Sequence, residues 1–330
     1  LPYLIHEVDV RYFLQRVLQF VIVFFLVTFG VMVFMRIGMN KPGDPALTML
    51  GGTVRLDQAQ AVNAKYHLNG NYFSQYWFWL EKMFRGDFGI SVQQNTTVAK
   101  YLSGRVLVTM FLGFYAVLWA LIIAIPLAVY QAYKRDSRFD RSGNFMSFLF
   151  VSLPPVVLAP FIILLFVVKL GWFPRIGEKI MPWDDLGGHF RNFLLPVVVL
   201  TMPLAAIFAR LLRSDMIQTL QSDFVTLASA KGVPPGRVLW THALRNSLFS
   251  LLTSVGVQLG GIVGGALVVE QYFNMKGMGS LLITSILSKD LFVVQSVTAI
   301  VVAVVSVANL VIDLLYAVID PRIRHARALT

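Results

Sequence analysis

The chain alternates between apolar runs of membrane-crossing length and short basic stretches, and few folds accept that pattern. A helix rises about 1.5 Å per residue, so about 20 apolar residues cover about 30 Å of hydrocarbon. Runs of that length fall near 14–35, 106–132, 145–168, 193–212, 248–272 and 292–318, which predicts six spanning helices. A water-soluble fold could not hide so much apolar surface: 57% of the 330 residues are hydrophobic, 14% are charged, and mean hydropathy is +0.69. The expected fold class is an all-α, polytopic membrane protein.

The first run, "RYFLQRVLQFVIVFFLVTFGVMVFM" (Arg11–Met35), has the basic flank of a signal peptide. It is too long for one, and no small-residue cleavage site follows, so it is read as a retained span. Pro126, Pro154, Pro155, Pro160, Pro196 and Pro203 fall within the runs. Membrane helices tolerate such residues, but Pro154–Pro155 and Pro203 are expected to kink or break theirs.

Lys and Arg in short loops set the orientation. Arg11 and Arg16, the segment "KRDSRFDR" (Lys134–Arg141), then Arg210, Arg213, Lys231, Arg237 and Arg245, and finally Arg322, Arg324 and Arg327 share one side if the spans alternate. The other side carries most of its basic residues in the long 36–105 segment, which the rule weighs little. Both termini are therefore expected in the cytoplasm. On this reading the net charge of +11 is mostly a topology signal, which argues against a nucleic-acid partner.

The chain then divides into 1–35, a terminal segment and first span; 36–105, an extracytoplasmic region; and 106–330, a core of five spans with a cytoplasmic loop at 214–247. Within the outer region, "YFSQYWFWLEKMFRGDFG" (Tyr72–Gly89) predicts an amphipathic aromatic helix. It suits a membrane interface, or a contact for an external partner. A glycosylation sequon at Asn95 is read as chance.

Catalytic patterns are missing. There is no cysteine, and "HEVDV" from His6 has Val10 where a zinc-protease helix needs a second His. His6, His67, His189, His242 and His325 are scattered without ligand spacing, so no metal site is expected. No lysine follows a glycine, which rules out a phosphate-binding loop. No cofactor is expected on this chain, and any ATP-driven role must borrow its ATPase. Asp313, with Asn309 one turn earlier, is the clearest intramembrane polar pair; packing and transport roles both stand open. Glu270 and Lys169 lie at span ends, where snorkelling suffices. A stand-alone secondary transporter is the alternative function, disfavoured by scarce intramembrane charge and by the lack of a repeat between the halves.

Two segments carry more information. In the fifth run Gly256, Gly260 and Gly264 recur every four residues, with Gly261 and Gly265 beside them, a stripe that suits close helix approach or the wall of a pathway. Before it, "SDFVTLASAKG" predicts a short helix, capped by Ser222 or Asp223 and ended by Gly232 at the C′ position. "VPPGR" must turn, with Pro235 suited to the first turn of a second helix, "GRVLWTHALRNSL". That helix should place Arg237, Thr241 and Arg245 on one face and Trp240, Leu244 and Leu248 on another. The pair reads as a helix–turn–helix lying across the membrane surface, either on anionic lipid or as a docking element for a cytoplasmic partner.

Here the chain also resembles a known family. "AKG" followed by "RVLWTHALRN" is similar to the cytoplasmic-loop signature of binding-protein-dependent ABC permeases of the dipeptide/oligopeptide group. "PGDPA" (Pro42–Ala46), "RGDFGIS" (Arg85–Ser91), "LGWFPRIG" (Leu170–Gly177), "VVEQYFNMKGMG" (Val268–Gly279) and "IDPRIR" (Ile319–Arg324) look like that family's motifs in order. The resemblance implies a type I importer permease of six spans in a bacterial or archaeal plasma membrane. It implies pairing with a second homologous permease, two cytoplasmic ATPase subunits or one fused one that bind ATP and Mg, and an extracytoplasmic substrate-binding protein. The coupling element it implies covers Asp223, Ala228, Ala230, Lys231, Gly232, Val233, Pro234, Pro235, Gly236, Arg237, His242, Arg245 and Asn246. Departures from the family pattern are Thr226 and Ser229, where a further Arg is usual, the "VPPG" corner, and Ser250, where Pro often follows.

Overall fold

The computed structural model describes residues 10–39, 56–68, 70–91, 96–173 and 181–319, the side chains of 10–13, 39, 56, 58, 59 and 313–319 excepted. His6, Pro42–Ala46, Asn95, Pro174–Gly177, the Asp313 side chain, and Asp320 to the C-terminus lie outside the described residues. Among the described residues five helices are long and apolar enough to cross a membrane, six if a helix pair bent by 100° counts as one span. The all-α polytopic class is observed. The chain divides into two compact units.

One unit draws on the described parts of Asp9–Thr109 and Lys276–Val307. Helix α1 (Val10–Met39) is followed by α2 (Leu56–Tyr66) and α3 (Tyr72–Phe84). Asn71 caps α3, its side chain accepting the Ser74 amide at 2.7 Å. The aromatic face divides in a way the pattern could not specify. Tyr76, Trp79 and Leu80 enter a core with Met32 and Leu281, while Phe73, Trp77 and Phe84 stay exposed. Tyr76 sets its edge against Phe25 and Phe29 and pairs its hydroxyl with that of Thr28 at 2.7 Å. Two short antiparallel strands, β1 (Ile90–Ser91) and β2 (Thr96–Thr97), lead into α4 (Val98–Leu102). Near the other end of the chain, α12 (Met278–Leu287) donates its first amide to Thr109 Oγ1.

The other unit centres on Met110–Met275. It holds most of α5 (Arg105–Tyr133), then α6 (Arg138–Ser152), α7 (Pro155–Ile162), α8 (Leu186–Leu220), α9 (Asp223–Ala230), α10 (Pro235–Arg237) and α11 (Leu244–Tyr272), with the end of α13 (Leu291–Ile319). Helix α8 is the central member and packs on α6, α7 and α11. Its buried face runs through Phe208, Leu212 and Met216.

The prolines divide in their effect. Leu153 precedes Pro154 and takes an extended conformation (φ −98°, ψ 100°), so α6 stops there. Pro154 and Pro155 then start α7, and the predicted third span becomes two helices at 100°. Pro160 cannot donate within α7, and π-type turns follow over Ile163–Lys169. Pro203, expected to kink or break its helix, does not break it: α8 runs unbroken through Pro196 and Pro203. A lone proline removes one ladder bond, and packing on three neighbours holds the rest.

Candidate coupling segment and small-residue face

The segment after α8 is anchored by small hydroxyls. Thr219 Oγ1 and Ser247 Oγ meet at 3.2 Å, which ties the end of α8 to the start of α11. Ser222 occupies the N-cap of α9 in an extended conformation, but its hydroxyl donates back to the Thr219 carbonyl at 2.5 Å and does not cap an α9 amide. Asp223 is exposed in the first turn, where a carboxylate complements the helix dipole. Val225 is buried and holds α9 down.

The end of α9 follows the expected chemistry. Gly232 has φ +78°, its amide donates to the Ser229 carbonyl at 3.0 Å, and the Val233 amide reaches the Ala228 carbonyl at 3.2 Å. These two bonds make a Schellman cap. A Cβ at Gly232 would meet nothing within 4 Å, so conformation and not space selects glycine there. Pro234 (φ −63°, ψ 144°) turns the chain, and Pro235 opens the next helix at its first position. The amides of Arg237 and Val238 both donate to the Pro234 carbonyl, at 2.9 and 3.1 Å.

The second helix differs from expectation. It is not a separate surface helix: Pro235–Tyr272 is one helical run of 38 residues that continues into the fifth span. No breaker stands between Gly236 and Gly256, so nothing ends it. Val238–Ala243 adopts π-type turns, which take more residues per turn and shift the facing. Val238, Leu239, Ala243, Leu244 and Ser247 are buried, while Trp240, expected on the apolar face, is 50% exposed.

Asp223, Ala230, Lys231, Gly232, Pro234, Pro235, Gly236, Arg237, Arg245 and Asn246 are exposed; Ala228, Val233 and His242 are half-buried. The corner also presents Phe224 (48% exposed) and Leu227 (56%), neither of which the sequence reading assigned to the site. Their spacing of three on α9, with Val225 on the buried face between them, was the available signal.

The glycine stripe also divides. A Cβ on Gly265 would stand 2.9 Å from Leu200 Cδ2 and 3.7 Å from Pro155 Cγ, and one on Gly256 3.5 Å from Ile312 Cγ2. Those two serve packing inside the unit, and Asn309 lies 3.8 Å from the Gly256 position. Around Gly260, Gly261 and Gly264 nothing comes within 4 Å, and all three are exposed. Glu270, expected to snorkel from a span end, is fully buried and engaged within the protein. A carboxylate at that depth needs an internal partner.

Apolar spans, with an exposed basic corner and an open small-residue face, define a multi-pass membrane protein. Residues 124–325 match the family described as binding-protein-dependent transport system inner membrane component, and residues 9–113 match the N-terminal part of such membrane components. The chain is 33% identical to the oligopeptide transport system permease protein AppB of Bacillus subtilis, covering 95% of this chain and 99% of that one. It is 36% identical to the oligopeptide permease OppB of Haemophilus influenzae over 80% of this chain and 84% of the relative. It is 31% identical to the glutathione permease GsiC of Escherichia coli K12 over 96% and 99%. The chain belongs to the binding-protein-dependent inner membrane component family and is the permease component of an ABC importer. Family membership sets aside the stand-alone, ion-driven transporter.

Proposed function

We propose that the chain forms half of the solute pathway of an ATP-driven importer for di- and oligopeptides or related small solutes. The cargo class is supported by relatives named for oligopeptide and glutathione transport. A second, homologous permease packs on the open face at Gly260, Gly261 and Gly264, where small residues admit another helix closely. Cytoplasmic ATPase subunits, two or one fused, bind ATP and Mg and seat against Asp223–Asn246. An extracytoplasmic binding protein delivers solute on the side of the 36–105 region, with both termini in the cytoplasm.

The observation that carries this reading is the exposed corner at Lys231–Arg237, closed by the Gly232 cap and stiffened by Pro234 and Pro235. A lipid-lying helix has no need of such a rigid projection, whereas a partner's groove does. Purified ATPase should be stimulated by loaded binding protein only when this chain is in the complex. Substitution of Gly232 together with 233–236 should abolish stimulation, and retained coupling and assembly in that variant would defeat the docking claim.

A further inference from the structure

Helix α6 is tied to both neighbouring helices. Arg213 of α8 donates to both oxygens of Asp140, from Nε at 2.5 Å and Nη2 at 2.6 Å. The same carboxylate accepts the Asp136 amide at 2.9 Å and the Asn144 side-chain amide at 3.4 Å. On α5, Gln131 fills the space left by Gly143, where a Cβ would collide with Gln131 Nε2. Arg213 lies on the same helix as Thr219, the residue that ties α8 to Ser247 beside the coupling corner. So α5, α6, α8 and α11 are bound together next to that corner. Beyond Leu153, by contrast, α6 has no helical continuity with α7.

The two connections differ in stiffness for a physical reason. Parting Asp140 from Arg213 would leave a buried charge unpaired, which the protein interior resists strongly. Bending at Pro154–Pro155 breaks no ladder bond, because neither residue has an amide to donate.

We propose that Asp140 is a positioning residue for coupling. Its clamp to Arg213 makes α6 move with the corner, and the break before Pro155 lets α7, which packs on α8 and α11, turn against α6, so the third span works as two parts. This rests on the proposed function, and its test is arranged to separate the two.

The chain has no cysteine of its own, so introduced pairs can be spin-labelled without background from it, in a complex whose other subunits have been freed of reactive cysteines. In the complete complex with ATPase and binding protein, Ser142→Cys/Ser214→Cys reports on the clamp and Ser142→Cys/Val157→Cys on the break; Ser142, Ser214 and Val157 are exposed. Between the nucleotide-free and ATP-trapped states the first distance stays fixed and the second changes by several ångströms. A first distance that changes, or a second that does not, overturns the clamp. In parallel, Asp140→Asn should lower solute moved per ATP hydrolysed by about tenfold. Asp140→Glu, which keeps the charge, should recover part of that loss. Wild-type yield per ATP in Asp140→Asn overturns the proposal. If Asp140→Asn fails to assemble, the label distances in the otherwise unchanged complex decide. An unsubstituted complex whose ATPase ignores loaded binding protein overturns the proposed function itself, before any variant is compared.

Discussion

Arg213 embraces the Asp140 carboxylate side-on; the Asp140 side chain is only 2% exposed and the Arg213 side chain 18%. Two parallel bonds at 2.5 and 2.6 Å fix the angle between α6 and α8 as well as their distance. Arg213→Gln should therefore destabilise the protein by about 3 kcal/mol, since it strands a buried carboxylate. Thermal unfolding in detergent checks this, with a fall of several degrees expected. The double variant Asp140→Asn/Arg213→Gln should be milder than the sum of the singles, and strict additivity would show that the two do not act as a pair.

Gly232 makes a sharper conformational test. Its φ of +78° costs an L-residue about 1 kcal/mol or more, while the open space around it removes steric excuses. Gly232→Ala should weaken ATPase stimulation more than Gly232→Asn, because Asn tolerates this region better. Equal activity of the two variants would contradict a role for the cap geometry.

Gly143 and Gln131 should behave as a lock and its fitted key. Gly143→Ala drives a methyl into the end of Gln131, which is only 1% exposed. Destabilisation of about 1–3 kcal/mol is expected for such overpacking. Adding Gln131→Ala should recover most of it in the same unfolding measurement.

The glycine stripe gives a contrast within one helix. Gly265→Leu should destabilise the chain on its own, because Leu200 already occupies that space. Gly264→Leu should leave the isolated chain's thermal stability unchanged yet reduce co-purification with a second permease. Loss of stability in Gly264→Leu would mean that the open face is not open in the folded chain.

Tyr76 offers a test in the other unit. Its hydroxyl meets Thr28 Oγ1, which also donates to the Phe24 carbonyl at 2.6 Å. Tyr76→Phe keeps the ring contacts with Phe25 and Phe29 and removes the hydroxyl pair. A loss of about 1 kcal/mol in thermal unfolding is expected. Tyr76→Ala should cost about 3 kcal/mol or more through the vacated core.

The spans were legible because hydrocarbon thickness converts directly into a run of apolar residues, and Gly232 and Pro235 because local backbone chemistry dictates their places. Helix ends were less so. Hydropathy marks the crossing portion, whereas α8 begins at Leu186 and ends at Leu220, well beyond 193–212. Trp240 was misplaced because a 3.6-residue period does not survive π-type turns. Asp140 and Arg213 form a pair that no local pattern announces, since 73 residues separate them. The glycines were visible as a stripe, but which of them faced a neighbour depended on where Leu200 and Ile312 arrive.

The continuity of Pro235–Tyr272 has a mechanical consequence. Thirty-eight residues at about 1.5 Å each make a rod of about 57 Å, with its foot at the proline corner. Tilting such a rod by about 5° about its foot displaces the far tip by about 5 Å, which is one helical turn. The chain thus possesses leverage: a small rotation at the corner is magnified along the unbroken helical run, and the far end of the fifth span carries the larger stroke.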